Sequence, residues 1–355
     1  MYSEAEAALA DFIGQTGIPA METFAGKGSL PFDHPLNLGA GGATGTEGAN
    51  YYSERADLVI GIGTRYSDFT TASKTAFQNE NVKFININIA EFDAFKHSAL
   101  PLTGDARTIL EELAGMLEDY STDQDYQQKA TAFNRDWDKK VEAAYVPDTE
   151  GLPSQSEVVG ALNEFSDPKD VLVCASGSLP GDLHKLWRTR DSKGFHLEYG
   201  YSCMGYEFPG GLGVKMAAPE REVYVMLGDG GYLMMSSEII TSLQENGKFN
   251  IILINNKGFA SIGGLSKSIG DEGFGTSYKF RDSESGQLEG DDLPVDLATN
   301  AESLGAKVFR THDIPSFRKA LEDAKKETRT TVIYIAVSYT HLRAHETSLP
   351  ISYAV

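Results

Sequence analysis

Two short apolar segments, each followed by a polar signature, constrain the fold of this chain most. Residues 223–227 and 249–254 are rich in aliphatic residues, and residues 236–245 between them have helical spacing. This pattern predicts two buried strands joined through a helix that Ser236 or Ser237 caps. A strand–helix–strand connection is right-handed in nearly all cases, so the strands run parallel and their carboxyl ends meet at one edge of a sheet.

The residues after these two strands carry oxygen ligands. Gly228, Asp229 and Gly230 follow the first strand, and Asn255 and Asn256 follow the second. The glycines have no Cβ, so the main chain is expected to turn sharply and to approach a ligand closely there. One carboxylate with one carboxamide favours magnesium or calcium over zinc, and magnesium usually completes its shell with water and phosphate oxygens. The spacing therefore predicts a site for a divalent metal and a diphosphate.

At these residues the chain resembles the thiamine-diphosphate enzymes, whose signature is Gly-Asp-Gly followed, after a helix and a strand, by Asn-Asn. The resemblance implies thiamine diphosphate and magnesium as cofactors. It implies Asp229, Asn256 and the carbonyl of Gly258 as metal ligands. The further cofactor-binding positions that it implies are Gly228, Gly230 and Gly231, the last two through their amides. The alternative is a glycine-rich turn in an ordinary doubly wound sheet.

A second loop is expected to contact the diphosphate. Residues 175–180 lie between a predicted strand at 171–173 and a predicted helix, so amides and hydroxyls there can hold phosphate oxygens at the amino end of the helix. The loop resembles the first phosphate-side loop of the same family domain. The residues assigned to this role are Ser176, Gly177 and Ser178, with Asp182 as the cap of the helix.

Met204 precedes a glycine-rich helix start. In the family, a bulky apolar residue at this place wedges under the cofactor and folds the aminopyrimidine towards the thiazolium. The resemblance implies this role for Met204, and a core methionine is the alternative. Cys203 is expected to pack rather than to act as a nucleophile.

Three further polar residues have weaker assignments. His184 and His196 are expected to be surface or hydrogen-bonded core residues, unless the cleft reaches them, in which case they contact a polyol. Arg65 follows a predicted strand where some relatives bind a second nucleotide, but a solvated surface position is favoured.

The formal net charge of -20 argues against nucleic acid or an anionic membrane as a partner, because either needs a basic face. Two cysteines cannot form a disulfide framework, and the amino end lacks a basic stretch followed by an apolar core. These features predict a soluble, cytoplasmic protein that acts on a small molecule.

The predicted fold class is α/β, with two doubly wound parallel-sheet domains. Residues 1–117 resemble the middle domain of the family, and residues 156–336 its diphosphate-binding domain, with a helix-containing linker at 118–155. The other predicted elements are helices at 5–16, 126–144 and 156–165, strands at 19–23, 58–62, 83–89 and 331–335, and loops at 39–48 and 263–292. The expected front strand and the preceding pyrimidine-binding domain of the family are missing, which predicts a fragment.

Residues 337–355 resemble an in-frame translation of a sequencing adapter rather than native protein, so they are excluded from fold reasoning. His341 and His345 are therefore not interpreted as metal ligands.

Residues 176–187 and 196–207 look most similar to the branch of the family that hydrolyses a carbon–carbon bond of a cyclic 1,2-dione in inositol catabolism. The segments after Asn256 and through Asp292 fit this branch less well. The glutamate that activates the cofactor normally comes from the pyrimidine domain of a partner subunit, which implies a homodimer or homotetramer and an inactive fragment. The alternatives are a carbon–carbon ligase of the acetolactate-synthase or glyoxylate-carboligase type and a non-catalytic nucleotide-binding module.

Overall fold

The computed structural model describes residues 2–147, 151–198 and 200–338. They form two compact units, the first made of residues up to 143 together with 188–193, and the second of 144–187 together with the residues from 194 onwards. Every strand pair in both units is parallel, which confirms the predicted α/β class with parallel sheets.

The first unit contains a three-stranded sheet in the order β3-β4-β5 and a separate pair, β1-β2. Its strands are β1 (Ala20–Glu22), β2 (Asn37–Ala40), β3 (Leu58–Ile62), β4 (Lys83–Asn88) and β5 (Leu100–Thr103). Its helices are α1 (Glu6–Thr16), α2 (Glu47–Arg55), α3 (Asp68–Thr71), α4 (Glu91–Ala94), α5 (Ala106–Met116) and most of α6 (Gln124–Tyr145), with a 3-10 turn at Lys96–Ser98. Phe12, Leu38, Ile87, Leu110 and Ala130 lie together in its core.

The second unit is built on a six-stranded sheet in the order β10-β11-β9-β8-β6-β7. Its strands are β6 (Val171–Cys174), β7 (Phe195–Leu197), β8 (Val223–Gly228), β9 (Asn250–Asn255), β10 (Lys307–Thr311) and β11 (Thr331–Ala336). Its helices are α7 (Gln155–Phe165), α8 (Leu179–Leu186), α9 (Glu207–Ala217), α10 (Asp229–Met235), α11 (Glu238–Gln244), α12 (Ala260–Ser268), α13 (Leu297–Ser303) and α14 (Ile314–Lys326).

The centre of this sheet explains the two apolar segments. Residues 223–227 of β8 and 250–254 of β9 are buried throughout, as expected for strands covered on both faces. The two strands pair in parallel from Tyr224 opposite Asn250 to Gly228 opposite Ile254. Their carboxyl ends therefore lie side by side at one edge of the sheet, as predicted.

Several predicted boundaries shift. The helix expected at 236–245 is preceded by α10, which begins at Asp229 itself, and Ser237 precedes α11 without a side-chain cap hydrogen bond. Helix α8 begins at Leu179, so Asp182 lies inside it and is not its cap; its carboxylate instead accepts a hydrogen bond from Gln155 Nε2 at 2.6 Å. The first residues of the loop expected at 263–292 belong to α12. The rest of the loop contains two single β-bridges, one from Ser277 back to Gly258 and one between Lys279 and Asp292.

The stretch predicted to be an adapter translation begins inside the described residues. The Val337 amide donates to the Asn255 carbonyl at 3.1 Å, and the Ser338 amide donates to the Pro153 carbonyl at 2.9 Å. Residues 339–355, with His341 and His345, lie outside the described residues. None of the helices in the described ranges combines the length and apolarity needed to cross a lipid bilayer.

Helix α9 offers a matched test of how closely it packs on the sheet. A Cβ built on Gly211 would overlap Cγ2 of Val225 in β8, whereas a Cβ on Gly213, in the same helix, would meet open space. Gly211→Ala is expected to lower the free energy of unfolding by about 1–3 kcal/mol, because overpacking exceeds the gain in helix propensity. Gly213→Ala is expected to raise it by about 0.5–1 kcal/mol, since only the propensity changes. Chemical denaturation of both variants measures this, and equal effects would contradict the packing described.

Candidate functional site

Asp229 joins the ends of the two central strands. It follows β8 directly, only 1% of its surface is exposed, and its Oδ1 accepts a hydrogen bond from the Gly230 amide at 2.9 Å. Its Oδ2 accepts one from the Gly258 amide, also at 2.9 Å, in the loop after β9. The carboxylate therefore reaches the segment that contains Asn256, although 29 residues separate Asp229 from Gly258.

The charge of this carboxylate is poorly compensated inside the protein. Burial raises the pKa of Asp229 to about 6, and this effect outweighs the backbone hydrogen bonds from Gly258 and Gly230, which lower it. A cation at the carboxylate would offset the cost of burying the charge.

Asn256, two residues before Gly258, presents an unused acceptor. Its Oδ1 is fully buried and has no hydrogen-bond partner among the described residues. The neighbouring Asn255 differs, because its Nδ2 donates to the Tyr334 hydroxyl at 2.7 Å and its Oδ1 accepts from the Lys257 amide at 2.9 Å. A buried acceptor without a partner costs about 1–3 kcal/mol, so Asn256 Oδ1 indicates a ligand.

The Tyr278 hydroxyl is a second buried polar atom without a partner in the described part of the chain. Burial raises its pKa, and the negative charge of Asp229 adds to this shift, which places the phenol within electrostatic reach of the carboxylate. The Tyr278 ring packs edge-on against Phe259 with centroids 6.0 Å apart.

The glycines of the signature are required by space rather than by a left-handed backbone. Gly228 has a φ of -84°, and neither Gly230 nor Gly231 has a positive φ, although the chain passes directly from β8 into α10 here. A Cβ on Gly230 would instead lie 2.7 Å from the Phe259 ring. A Cβ on Gly258 would overlap the Thr276 carbonyl oxygen. Neighbouring protein atoms therefore leave no space for a side chain at either position.

The second predicted loop lies at the start of α8. Gly177 has a φ of +103°, a conformation that favours glycine, and Ser178 precedes the first helical residue. The hydroxyls of Ser202 and Ser176 are 3.4 Å apart, and the Ser176 amide points to Glu207 Oε1 at 3.5 Å. The loop thus lies at the carboxyl end of β6, next to β8 in the sheet.

Met204, in the segment before α9, lies near Gly230. It is half-buried, and its Cε would lie 3.3 Å from a Cβ on Gly230. Cys203 is exposed rather than packed, contrary to the expectation. Desolvation and the Glu198 carboxylate raise the pKa of its thiol, which argues against a nucleophile.

The histidines and Arg65 do not join this group. His184 is fully buried in α8, and His196 Nε2 lies 2.7 Å from the Tyr206 hydroxyl, with its pKa lowered by burial. His184 is therefore a core residue and His196 a hydrogen-bonded residue, in agreement with the expectation from the sequence. Arg65 belongs to the first unit.

The residue that sequence reasoning missed is Glu207. It is 1% exposed, and its Oε2 accepts a hydrogen bond from the Gly205 amide at 2.8 Å. The available sequence signal was an acid between Tyr206 and Phe208 at an apolar helix start, where a carboxylate that is buried needs hydrogen-bond partners.

The donor set fits a magnesium ion with a diphosphate. Within the described ranges, no group of three or more His, Cys, Asp and Glu side chains is placed to hold a metal. A metal site here would instead use one carboxylate, one amide oxygen and backbone oxygens, the hard donors that magnesium accepts alongside phosphate and water. The buried Asn256 Oδ1, which has no hydrogen-bond partner among the described residues, supports this fit.

Comparison with protein families and curated proteins agrees with this geometry. Residues 175–335 match the C-terminal TPP binding domain of thiamine pyrophosphate enzymes, and residues 1–113 match their central domain. The chain belongs to the thiamine pyrophosphate enzymes. It therefore carries the thiamine-diphosphate-binding domain of that family, and Asp229, Asn256 and the 176–178 loop all lie within the matched range.

The relatives share most of this chain. A 3D-(3,5/4)-trihydroxycyclohexane-1,2-dione hydrolase of Clostridium tetani is 42% identical over 95% of this chain and 56% of its own length. Proteins of the same name are 43% identical in Clostridium perfringens and, as hydrolase 2, 41% identical in Bacillus cereus, with the same coverage. The chain thus spans about half the length of the curated relatives that it matches.

The raised pKa of Asp229 predicts a pH-dependent stability. The folded protein holds this proton up to about pH 6, but the unfolded chain releases it near pH 3.8, so stability falls as the pH rises between those values. Asp229→Asn removes this dependence, and its free energy of unfolding relative to the natural protein is expected to rise by about 2 kcal/mol from pH 4 to pH 7. Denaturant titrations in the presence of a chelator measure the difference, and parallel pH profiles would contradict the shifted pKa.

Proposed function

We propose that this chain binds thiamine diphosphate through magnesium at the edge of the six-stranded sheet, and that the protein opens the ring of trihydroxycyclohexane-1,2-dione by hydrolysis to 5-deoxy-glucuronate. The observation that carries the cofactor proposal is the buried Asp229 carboxylate, which accepts a hydrogen bond from the Gly258 amide. Asn256, two residues before Gly258, has a buried Oδ1 without a hydrogen-bond partner among the described residues. The names of the relatives support the substrate.

The proposed metal ligands are Asp229, Asn256 and the carbonyl of Gly258. The ion would neutralise a carboxylate whose burial raises its pKa, and it would use an amide oxygen that has no hydrogen-bond partner among the described residues. The Gly231 amide and the 176–178 loop would hold the phosphate oxygens, as backbone donors at helix starts commonly do. The Gly230 amide, which donates to Asp229 Oδ1 at 2.9 Å, would join them once the ion takes that carboxylate oxygen.

When bound, thiamine diphosphate supplies a carbanion equivalent that adds to a carbonyl and stores the electrons of the broken carbon–carbon bond. The residues of this chain bind and orient it. Met204 lies near Gly230, where it would support the cofactor, and the Phe259 ring lies near the same glycine. Fixed backbone dipoles around the phosphates need no reorganisation during the reaction.

Several parts of the proposal rest on the family resemblance. The activating glutamate from a pyrimidine domain, a homodimeric or homotetrameric assembly and a cytoplasmic location stay predictions. So does the expectation that this stretch of chain alone does not turn over the dione.

Two asparagines at opposite ends of β9 test the cofactor proposal. Asn256→Ala removes a buried acceptor that has no hydrogen-bond partner in the described protein, so we expect no loss of stability without cofactor. Magnesium-dependent affinity for thiamine diphosphate should fall about a hundredfold, since even indirect partners of a metal typically contribute 10–100-fold. Isothermal titration calorimetry with and without magnesium measures the affinity.

Asn250→Ala is the matched control. Asn250 is fully buried, its Nδ2 donates to Glu222 at 2.8 Å and its Oδ1 accepts from Thr331 at 2.9 Å. Its loss should lower the free energy of unfolding by about 2 kcal/mol and leave the affinity unchanged. Equal cofactor affinity in the natural protein and in Asn256→Ala would rule out the proposed ligand set and favour a nucleotide-binding module of another kind.

A further inference from the structure

Glu207 connects three segments that meet at the proposed cofactor site. Its Oε2 accepts the Gly205 amide at 2.8 Å, next to Met204, and its Oε1 lies 3.5 Å from the Ser176 amide in the loop before α8. A Cβ on Gly231 would lie 3.4 Å from the same Oε1, so the carboxylate also abuts the start of α10.

The burial of the Glu207 carboxylate is costly and depends on its hydrogen bonds. The side chain is 1% exposed at the first residue of α9, and burying a carboxylate is unfavourable unless its oxygens receive hydrogen bonds. The Gly205 amide supplies one at 2.8 Å, and the Ser176 amide supplies a longer one at 3.5 Å. A neutral apolar residue here would leave the Gly205 amide without its acceptor.

We infer that Glu207 is a positioning residue of the cofactor site, and that its carboxylate holds the 176–178 loop, the Met204–Gly205 segment and Gly231 in the arrangement that receives the diphosphate end of the cofactor. The inference rests on the proposed function for the ligand, but the arrangement of the three segments belongs to this chain without it. Glu207 acts through these backbone groups and does not itself contact the cofactor.

Glu207→Gln keeps the shape of the side chain and replaces one acceptor oxygen by an NH2 group that can only donate. Either the Ser176 amide or the Gly205 amide then loses its acceptor. Affinity for thiamine diphosphate with magnesium should fall about tenfold, the equivalent of one hydrogen bond to a charged group. Glu207→Asp keeps the charge but shortens the side chain, so a similar loss is expected if position rather than charge matters.

A second readout needs no cofactor. Hydrogen exchange in the cofactor-free protein should be at least about tenfold faster at the Gly205 or Ser176 amide in Glu207→Gln. Glu157→Gln is the matched control, because Glu157 is also buried in the second unit and accepts a backbone amide, that of Ser154 at 2.7 Å, at the start of α7. It should leave both the affinity and these two amides unchanged.

The outcomes separate the two proposals. If the natural protein does not bind thiamine diphosphate, the proposed function fails, while the exchange rates still decide whether Glu207 orders the loops. If it binds and both Glu207 variants show unchanged affinity and exchange, or lose only thermal stability as Glu157→Gln does, the positioning role is overturned.

Discussion

The buried carboxylate of Asp229 is the interaction on which the site depends. Its two oxygens accept amides from Gly230, directly after β8, and from Gly258, in the loop after β9. The parallel pairing of these strands brings their ends together, and the carboxylate fixes how the two loops lie against each other there. The cost of burying this charge shows in its raised pKa. A cation would relieve that cost, so structure and ligand binding are coupled through one side chain.

Glu207 is a second buried carboxylate that accepts backbone amides near this site. Glu207, like Asp229, is almost fully buried and has a pKa raised by burial. Each acid accepts one backbone amide that is close in sequence and one that is distant, which for Glu207 are those of Gly205 and Ser176. Both acids organise loops through main-chain donors, which are independent of side-chain rotamers. Glycines at 230, 231 and 258 let these loops approach closely. The result is a site whose backbone dipoles are in place before any ligand arrives, as electrostatic catalysis and phosphate binding require.

Much of this was predictable from the sequence, because the strongest signals were local. The apolar segments became β8 and β9 within a residue, and several other predicted elements, such as β3 and α7, lie within two residues of their expected bounds. Parallel topology then followed from the handedness of the crossover. The juxtaposition of Asp229 with the Asn256 loop needed no more than this.

Other features were not predictable, because they depend on packing between distant segments. The need for glycine at 230 comes from the Phe259 ring and not from a left-handed backbone. Asp182 looked like a helix cap, but α8 starts three residues earlier, with Pro180 near its first turn, and Asp182 bonds Gln155 instead. The role of Glu207 required knowing which amides surround it, and the exposure of Cys203 follows from the course of its loop.

A crystal structure of the protein with magnesium and thiamine diphosphate tests the account most directly. It should show one cation about 2.1 Å from both an Asp229 carboxylate oxygen and Asn256 Oδ1, with diphosphate oxygens completing its shell. A cation bound elsewhere, or an Asn256 Oδ1 that makes no contact with the bound cation, would contradict the account.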